Sequence, residues 1–336
     1  MLSSDFLAVV FVILFAVSAI VYAILDGYDL GVGILMPVAD KSSEKHRDNM
    51  IASIGPFWDA NETWIVLTIG ILLIAFPAAY NLLLGELYIP VALMLVGLIF
   101  RGISFDFRSK AALGQNKLFW DRLFKFGSIL MAATQGYMLG AYIMGFEHST
   151  MAYLFSAMTA IGVIGAYALV GSAWLILKTR TQLNQMAQQW ARTAMLFCAL
   201  GIVLVSMVSP LANELVADRW FGSSTFWWLM PFPLICAVLF YFLARHLLAL
   251  KHDDSKSHSA PMFLVLGIFV VSFIGLAVSF FPYVIPGQLT IWETVASANS
   301  LTVTFIGAII VLPLILGYTA YTYYVFRGKS TDLRYD

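Results

Sequence analysis

Long apolar runs separated by short polar stretches dominate the chain. A bilayer core about 30 Å thick is crossed by roughly 20 helical residues that rise about 1.5 Å each. Nine runs reach that length, so the pattern predicts nine membrane-spanning helices, with Pro77 to Asn81 expected to turn the second into the third. The predicted spans lie near residues 6–30, 51–79, 82–100, 126–146, 151–177, 193–217, 224–244, 261–285 and 300–326.

Composition supports a membrane protein. The chain is 61% hydrophobic and 11% charged, whereas soluble folds carry about 25% charged residues. Formal net charge is zero, which gives no electrostatic argument for a nucleic-acid partner. We therefore predict an all-α membrane protein in which residues 1–336 form a single integral membrane domain.

The basic residues predict the orientation. With the spans counted as above, all but one of the 19 Lys and Arg residues fall on the same side, and the exception is Arg219. Cytoplasmic loops carry an excess of Lys and Arg, so the N-terminus is predicted outside and the C-terminus in the cytoplasm. The residues on the predicted cytoplasmic side are Lys41, Lys45, Arg47, Arg101, Arg108, Lys110, Lys117, Arg122, Lys125, Lys178, Arg180, Arg192, Arg245, Lys251, Lys256, Arg327, Lys329 and Arg334.

Fourteen of the 19 Asp and Glu residues lie in loops, at span ends or in the tails, and five do not: Asp26, Asp29, Asp59, Glu62 and Glu86. An ionised residue at the centre of a bilayer costs roughly 2.5–3.5 kcal/mol on insertion scales. The two aspartates of span one are three residues apart, as are the two acids of span two, so each pair shares one helix face. The fifth acid lies near the outer end of span three, where snorkelling to the interface or a local hydrogen bond accounts for it.

The first four acids are expected to form a ladder. Spans one and two are joined by a short loop and should pack antiparallel, which aligns the carboxyl groups from the cytoplasmic face towards mid-membrane. Neither span contains Lys or Arg, so the sequence predicts uncompensated carboxyls, some of them protonated. Such a set is typical of a proton relay, but hydrogen bonding between helices that Gly27, Gly31 and Gly33 bring together is the open alternative.

The sequence gives no sign of a redox centre or nucleotide site. All five histidines lie in loops or at span ends, and there is no CxxCH, HExxH, P-loop or GxGxxG motif. The residues alone therefore leave three functions open: a proton-conducting part of a larger machine, a passive scaffold, and a proton-coupled secondary transporter. Many transporters show internal repeats, and none is evident in this sequence.

Four segments resemble subunit II of cytochrome bd-type quinol oxidases. Residues 26–33 read DGYDLGVG, and residues 55–64 read GPFWDANETW, close to that family's GPxWDGNExW stretch. Arg101 with residues 105–110, FDFRSK, and then residues 281–292, FPYVIPGQLTIW, complete the set in the same order. Ala60 stands where that family usually has Gly, which puts the closer packing or water space that Gly would permit in doubt.

The resemblance implies a fold of two four-helix bundles, at about 1–148 and 149–285, plus a ninth helix at about 299–328. It also implies a haem-bearing subunit I as partner, with two b-type haems and haem d, in a complex of the bacterial cytoplasmic membrane that oxidises quinol and reduces O₂ to water. Some family members add a small single-span accessory subunit or a structural quinone, and this sequence locates no quinone site and predicts no metal bound by this chain.

The resemblance implies roles for the acids as well. Asp59 is expected on a proton path towards the haems, with Asp26 and Asp29 near its entrance. In the proton-relay hypothesis drawn from the residues, Glu62 with Asn61 continues that path. Arg101, Asp106, Arg108 and Lys110 are expected to form a positive cytoplasmic loop or to dock the partner.

Overall fold

A computed structural model describes residues 3–39, 43–111, 115–222, 225–252 and 257–330. Lys41, Lys256 and Arg334, which contributed to the predicted orientation, lie outside these ranges. Within them the chain is almost entirely helical, with one short antiparallel pair of strands, β1 (Tyr283–Ile285) and β2 (Leu289–Thr290). The helices are α1 (Ser4–Leu35), α2 (Glu44–Ile54), α3 (Trp58–Ala75), α4 (Pro77–Glu86), α5 (Tyr88–Lys110), α6 (Gln115–Ile143), α7 (Thr150–Lys178), α8 (Thr181–Ala212), α9 (Glu214–Phe221), α10 (Phe226–Leu229), α11 (Pro231–His252), α12 (Ala260–Phe280), α13 (Ile291–Thr294) and α14 (Ala298–Val325).

Eight segments in the described part of the chain are long and apolar enough to cross a membrane. Seven of them are α1, α3, α5, α7, α8, α12 and α14, and the eighth is Phe226–Lys251, which covers α10 and all but the last residue of α11. The predicted fourth span falls on α6, which is long enough but is not among the eight. An all-α membrane protein is therefore confirmed, while a total of nine spans and the orientation stay predictions.

The predicted second span, residues 51–79, is wrong in its boundaries. The helix ends at Ile54 and resumes at Trp58, because Pro56 lacks the N–H that a continuing helix needs. It breaks again at Phe76, whose backbone leaves the helical region before Pro77. The turn predicted at Pro77 to Asn81 is instead the first part of α4, with the proline at a favourable first position.

The largest extensions beyond the predicted span ends, each of about three turns, are in α5, α6 and α8. Helix α5 continues to Lys110, so Arg101 and Arg108 lie within a helix rather than in a loop. Helices α6 and α8 begin about three turns before the predicted spans, which places Arg192 inside α8. The predictions stopped at the first charged residue, whereas the helices continue because their backbone hydrogen bonds do not depend on side-chain polarity.

Helix α1 lies at the centre of the fold, since it packs against α3, α6 and α7. Helix α5 packs on α6, α8 on α7, and α11 on α12. By contrast, α14 touches α1 and α3 only lightly. The division of these helices into two bundles stays a prediction, because α1 and α6 both pack extensively on α7 across the predicted boundary.

Glycines allow the backbones of α1 and α7 to approach closely. A Cβ atom added at Gly31 would lie 1.9 Å from the carbonyl oxygen of Tyr167, and one at Gly171 would lie 2.5 Å from the carbonyl carbon of Gly31. Small residues at such crossings are the usual means of packing helices in lipid. This contact holds the central helix, and with it Asp26 and Asp29, against the rest of the chain.

Arg219, the exception in the charge pattern, has a local structural role. Its guanidinium donates to the carbonyls of Val278 and Phe281 at the end of α12, while the neighbouring Trp220 donates to Ser279 at 2.7 Å. A cation at a helix C-terminus satisfies carbonyls that have no partner within the helix. This contact therefore accounts for the basic residue that breaks the charge pattern.

The Gly31 contact can be tested by adding one methyl group. We expect Gly31→Ala to destabilise the protein by about 1–3 kcal/mol, because the two helices must move apart. Gly70→Ala on α3 is the matched control, since a Cβ there meets nothing within 4 Å. Thermal unfolding in detergent measures both variants, and equal midpoints would contradict the close contact.

Candidate functional site

Arg101 lies at the centre of a buried group of charges that we call the acid cluster: Asp26 and Asp29 of α1, Glu62 of α3, and Arg101 of α5. Nη1 of Arg101 lies 2.6 Å from Oδ1 of Asp26, a close ion pair that lacks the alignment of an ideal hydrogen bond. Nη2 lies 3.8 Å from Oδ2 of Asp29. The two aspartates are fully buried and Arg101 is 1% exposed.

This geometry corrects the prediction that the acids lack a compensating charge. Spans one and two contain no Lys or Arg, but α5 supplies Arg101 from a neighbouring helix. The guanidinium nevertheless faces three carboxyl groups, because Glu62 lies 3.9 Å from Nη1. Full ionisation would leave the cluster with more negative than positive charge in a region of low dielectric, which is costly.

Asn61 links Asp29 to two tyrosines through hydrogen bonds. The amide nitrogen of Asn61 donates to Oδ2 of Asp29 at 2.8 Å and to the hydroxyl of Tyr28 at 2.6 Å. Tyr323 of α14 donates to Oδ1 of Asn61 at 3.1 Å, and its hydroxyl lies 2.5 Å from that of Tyr28. Residues from α1, α3 and α14 thus share one polar network.

A second polar chain begins one helical turn from Asp26 along α1. The hydroxyl of Tyr167 donates to Oε1 of Gln135 at 2.6 Å, and Nε2 of Gln135 donates to the hydroxyl of Tyr22 at 2.8 Å. These side chains connect α1, α6 and α7. The polar surface around the cluster is therefore larger than the four acids that the sequence singled out.

Asp59 lies apart from the buried aspartates. It is exposed in the first turn of α3 and lines a groove of about 450 Å³ between α3 and α5. Glu62 and Thr63 line the same groove, with apolar side chains such as Val66 and Ile103 beyond them. Glu62 is therefore the side chain that belongs to both the groove and the buried cluster.

The predicted ladder of four acids is thus only partly realised. Asp26, Asp29 and Glu62 converge on one guanidinium, whereas Asp59 faces the outside of the chain. Asp26 and Asp29, which the resemblance places near an entrance, have no exposed surface. Glu86 ends α4 and lies 3.3 Å from Nε2 of His148, so it has a local partner.

A separate ionic network ties α2, α5 and α6 together. Asp121 is fully buried and accepts from Nε of Arg47 at 2.7 Å and from Nε of Arg108 at 2.5 Å. Arg108 also reaches Asp48 at 2.6 Å. Asp106, in the same part of α5, is exposed, so its expected part in docking the partner stays a prediction. The network fixes the end of α5 that carries Arg101.

The burial pattern of α5 explains why Arg101 faces the interior. Buried residues of α5 recur every three or four positions and continue past the end of the apolar run. A helical period that continues through a charged residue indicates that the charge faces the interior. The buried residues of α5 are Met94, Gly97, Arg101, Ser104, Phe105 and Arg108.

The acid cluster consists of groups that can bind and release protons. Among the residues that the structure describes, no group of three His, Cys, Asp or Glu side chains is arranged to hold a metal ion. Carboxyls that outnumber the cations near them can exchange protons with one another or with a neighbour. The chemistry that this arrangement supports is therefore proton binding and transfer.

Removing the guanidinium should destabilise the protein strongly. We expect Arg101→Met to cost about 3–5 kcal/mol, because buried aspartates lose their counter-charge. Arg101→Lys should fall between that variant and the original, since it keeps the charge but not the forked donor. Yield and thermal unfolding in detergent measure the effect, with exposed Arg245→Met as control. If Arg101→Met unfolded like the control, the central role of the guanidinium would be refuted.

Comparison with known sequences identifies the family. The chain matches the family model described as cytochrome bd terminal oxidase subunit II over residues 7–326. It is 25% identical to the cytochrome bd-I ubiquinol oxidase subunit 2 of Escherichia coli K12, with 98% of this chain and 97% of the relative covered. It is 27% identical to the cytochrome bd ubiquinol oxidase subunit 2 of Bacillus subtilis, with 94% and 95% covered.

A solved structure has the same fold. A chain of the bd oxidase from Geobacillus thermodenitrificans superposes with a TM-score of 0.78 at 16% identity, covering 95% of this chain and 98% of that one. The eight apolar helices and the bacterial relatives indicate a multi-pass protein of the bacterial inner membrane. On the family match across most of its length, this chain belongs to the cytochrome bd terminal oxidase subunit II family.

Proposed function

We propose that this chain is the haem-less subunit of a quinol:O₂ oxidoreductase, in which it scaffolds a haem-bearing subunit I and conducts protons for the reduction of O₂ to water. Family membership implies the partner subunit. The observation that carries the proton role is the position of Glu62, which touches the buried guanidinium and also lines the outer groove.

The proposed route runs between the groove and the buried acids. Asp59 and Glu62 are three residues apart on α3, so their side chains project from one helix face. Glu62 then lies 3.9 Å from Arg101, whose other contacts are the two aspartates of α1. The path is Asp59, Glu62, and then Asp26 with Asp29, each step a short movement of a proton between carboxyls or through water.

The charge balance supports this role. One guanidinium cannot neutralise three carboxylates, so the cluster favours retaining protons that it can give up or take back. With three carboxyls beside one guanidinium, the cluster contains at least one carboxyl that can bind and release a proton. A cluster with one cation for every acid would be a static ion pair with no proton to exchange.

In this proposal Asp59 exchanges protons at the surface of the chain. Asp26 and Asp29 are fully buried, so direct uptake from water by these two aspartates has no support in the geometry. They serve instead as an interior store next to the guanidinium. The groove that contains Asp59 is the face that we propose subunit I covers, because an exposed carboxyl beside apolar side chains favours a protein neighbour over lipid.

Asp59→Asn tests the route, because the amide keeps the shape but cannot carry a proton. We expect quinol oxidase turnover of the purified complex to fall by about 100-fold or more, the lower end of the range for loss of a proton-transferring group, while the haem spectrum stays unchanged. Glu86→Gln, at the far end of α4, is the control and should retain turnover.

Two results would contradict the route. Full turnover with Asp59→Asn would remove this residue from the proton path. A complex that loses its haem spectrum or its partner subunit, with normal turnover in the fraction that assembles, would indicate that Asp59 acts in assembly alone.

A further inference from the structure

Helix α14 makes few contacts with the rest of the chain along most of its length. Of its residues only Leu301 and Thr322 are buried, and side chains such as Ile306 and Leu314 are exposed. At its C-terminal end, however, the ring of Tyr323 packs 4.6 Å from that of Phe57, between centroids. The Tyr323 hydroxyl is directed into the network around Asp29.

Three hydrogen bonds of this network form a closed ring. Asn61 donates from its amide nitrogen to the hydroxyl of Tyr28 at 2.6 Å. Tyr323 donates to the amide oxygen of Asn61 at 3.1 Å. The remaining contact, 2.5 Å between the two tyrosine hydroxyls, must then use the proton of Tyr28, because Tyr323 has already donated its own.

The contacts with α1 determine which way the Asn61 amide faces. Its nitrogen lies 2.8 Å from Oδ2 of Asp29 and 3.3 Å from the carbonyl oxygen of Leu25, and both of these atoms accept hydrogen bonds. A reversed amide would set its oxygen against both of them, so the oxygen faces Tyr323, which holds it there by donating to it. Cyclic hydrogen bonds also strengthen one another in a low dielectric, so the orientation is well defined.

We propose that Tyr323 is a positioning residue for Asp29. Its hydroxyl closes the ring that holds the Asn61 N–H on the Asp29 carboxylate. The position of α14 therefore sets how readily Asp29 takes up a proton. The residue acts through Asn61 and does not itself carry the proton. Its effect on turnover rests on the proposed function, whereas its effect on Asp29 does not.

Two lysines near the ring hold the C-terminal end of α14 against the end of α7. Lys178, at the end of α7, donates to the carbonyls of Phe326 and Gly328 at 2.5 and 3.2 Å. Lys329 donates in return to the carbonyl of Leu177 at 2.7 Å. Each cation therefore caps the C-terminal end of the other helix, which keeps Tyr323 within reach of Asn61.

The test is Tyr323→Phe in the purified complex, since Phe keeps the ring packing and removes only the hydroxyl. We expect the infrared titration of the Asp29 carboxyl, identified by its loss in Asp29→Asn, to move to higher pH by about one unit, because the carboxylate loses a fixed donor. The pH dependence of turnover should move in the same direction. Tyr28→Phe opens the same ring from α1 and should reproduce the shift.

Tyr324→Phe is the matched control, because this neighbouring side chain is 64% exposed, and it should titrate as the original protein does. A Tyr323→Phe complex with an unchanged infrared titration would overturn the positioning role. If that variant does not assemble, Tyr28→Phe decides in its place, with an unchanged titration again overturning the proposal. A moved titration with unchanged turnover would support the positioning role and refute the proton route through Asp29.

Discussion

The contact between one guanidinium and three carboxyl groups in the interior of a membrane protein constrains everything around it. Removing charges from water costs several kcal/mol for each ion even after relaxation, so the helices that carry Arg101, Asp26 and Glu62 must keep them together. These residues come from α5, α1 and α3, and a shift of any one helix by a turn would separate them by about 5.4 Å. The cluster therefore fixes the relative register of three helices as well as providing titratable groups.

The spans could largely be predicted from the sequence because hydropathy determines what lipid accepts. Their ends could not, because a helix continues wherever its backbone bonds are satisfied. Arg101 shows the difference: it follows an apolar run and was assigned to a loop, yet α5 carries it into the interior. Pro56 and Pro77 show the opposite error, since they interrupt a stretch that composition alone presents as one span.

The acids themselves were found because charge within an apolar run stands out. Their partners were not, because the residues that complete the site are polar side chains of ordinary appearance at distant positions. Asn61 and Tyr323 are 262 residues apart in sequence, and no local pattern links them. The resemblance of four segments to one family implied a place for Asp59 on a proton path, but not that this residue would face outward while Asp26 and Asp29 are fully buried.

The bareness of α14 has a consequence for how this chain varies in evolution. A helix whose side chains make few contacts with the rest of its own chain is little constrained by internal packing, provided that each substituted residue remains apolar. Selection on the stretch from Val303 to Leu316 must come instead from lipid or from whatever protein lies alongside. Substitutions there would then co-vary with residues on the opposing surface of a neighbour. The tyrosine and lysines at the helix end would be constrained by their contacts within this chain.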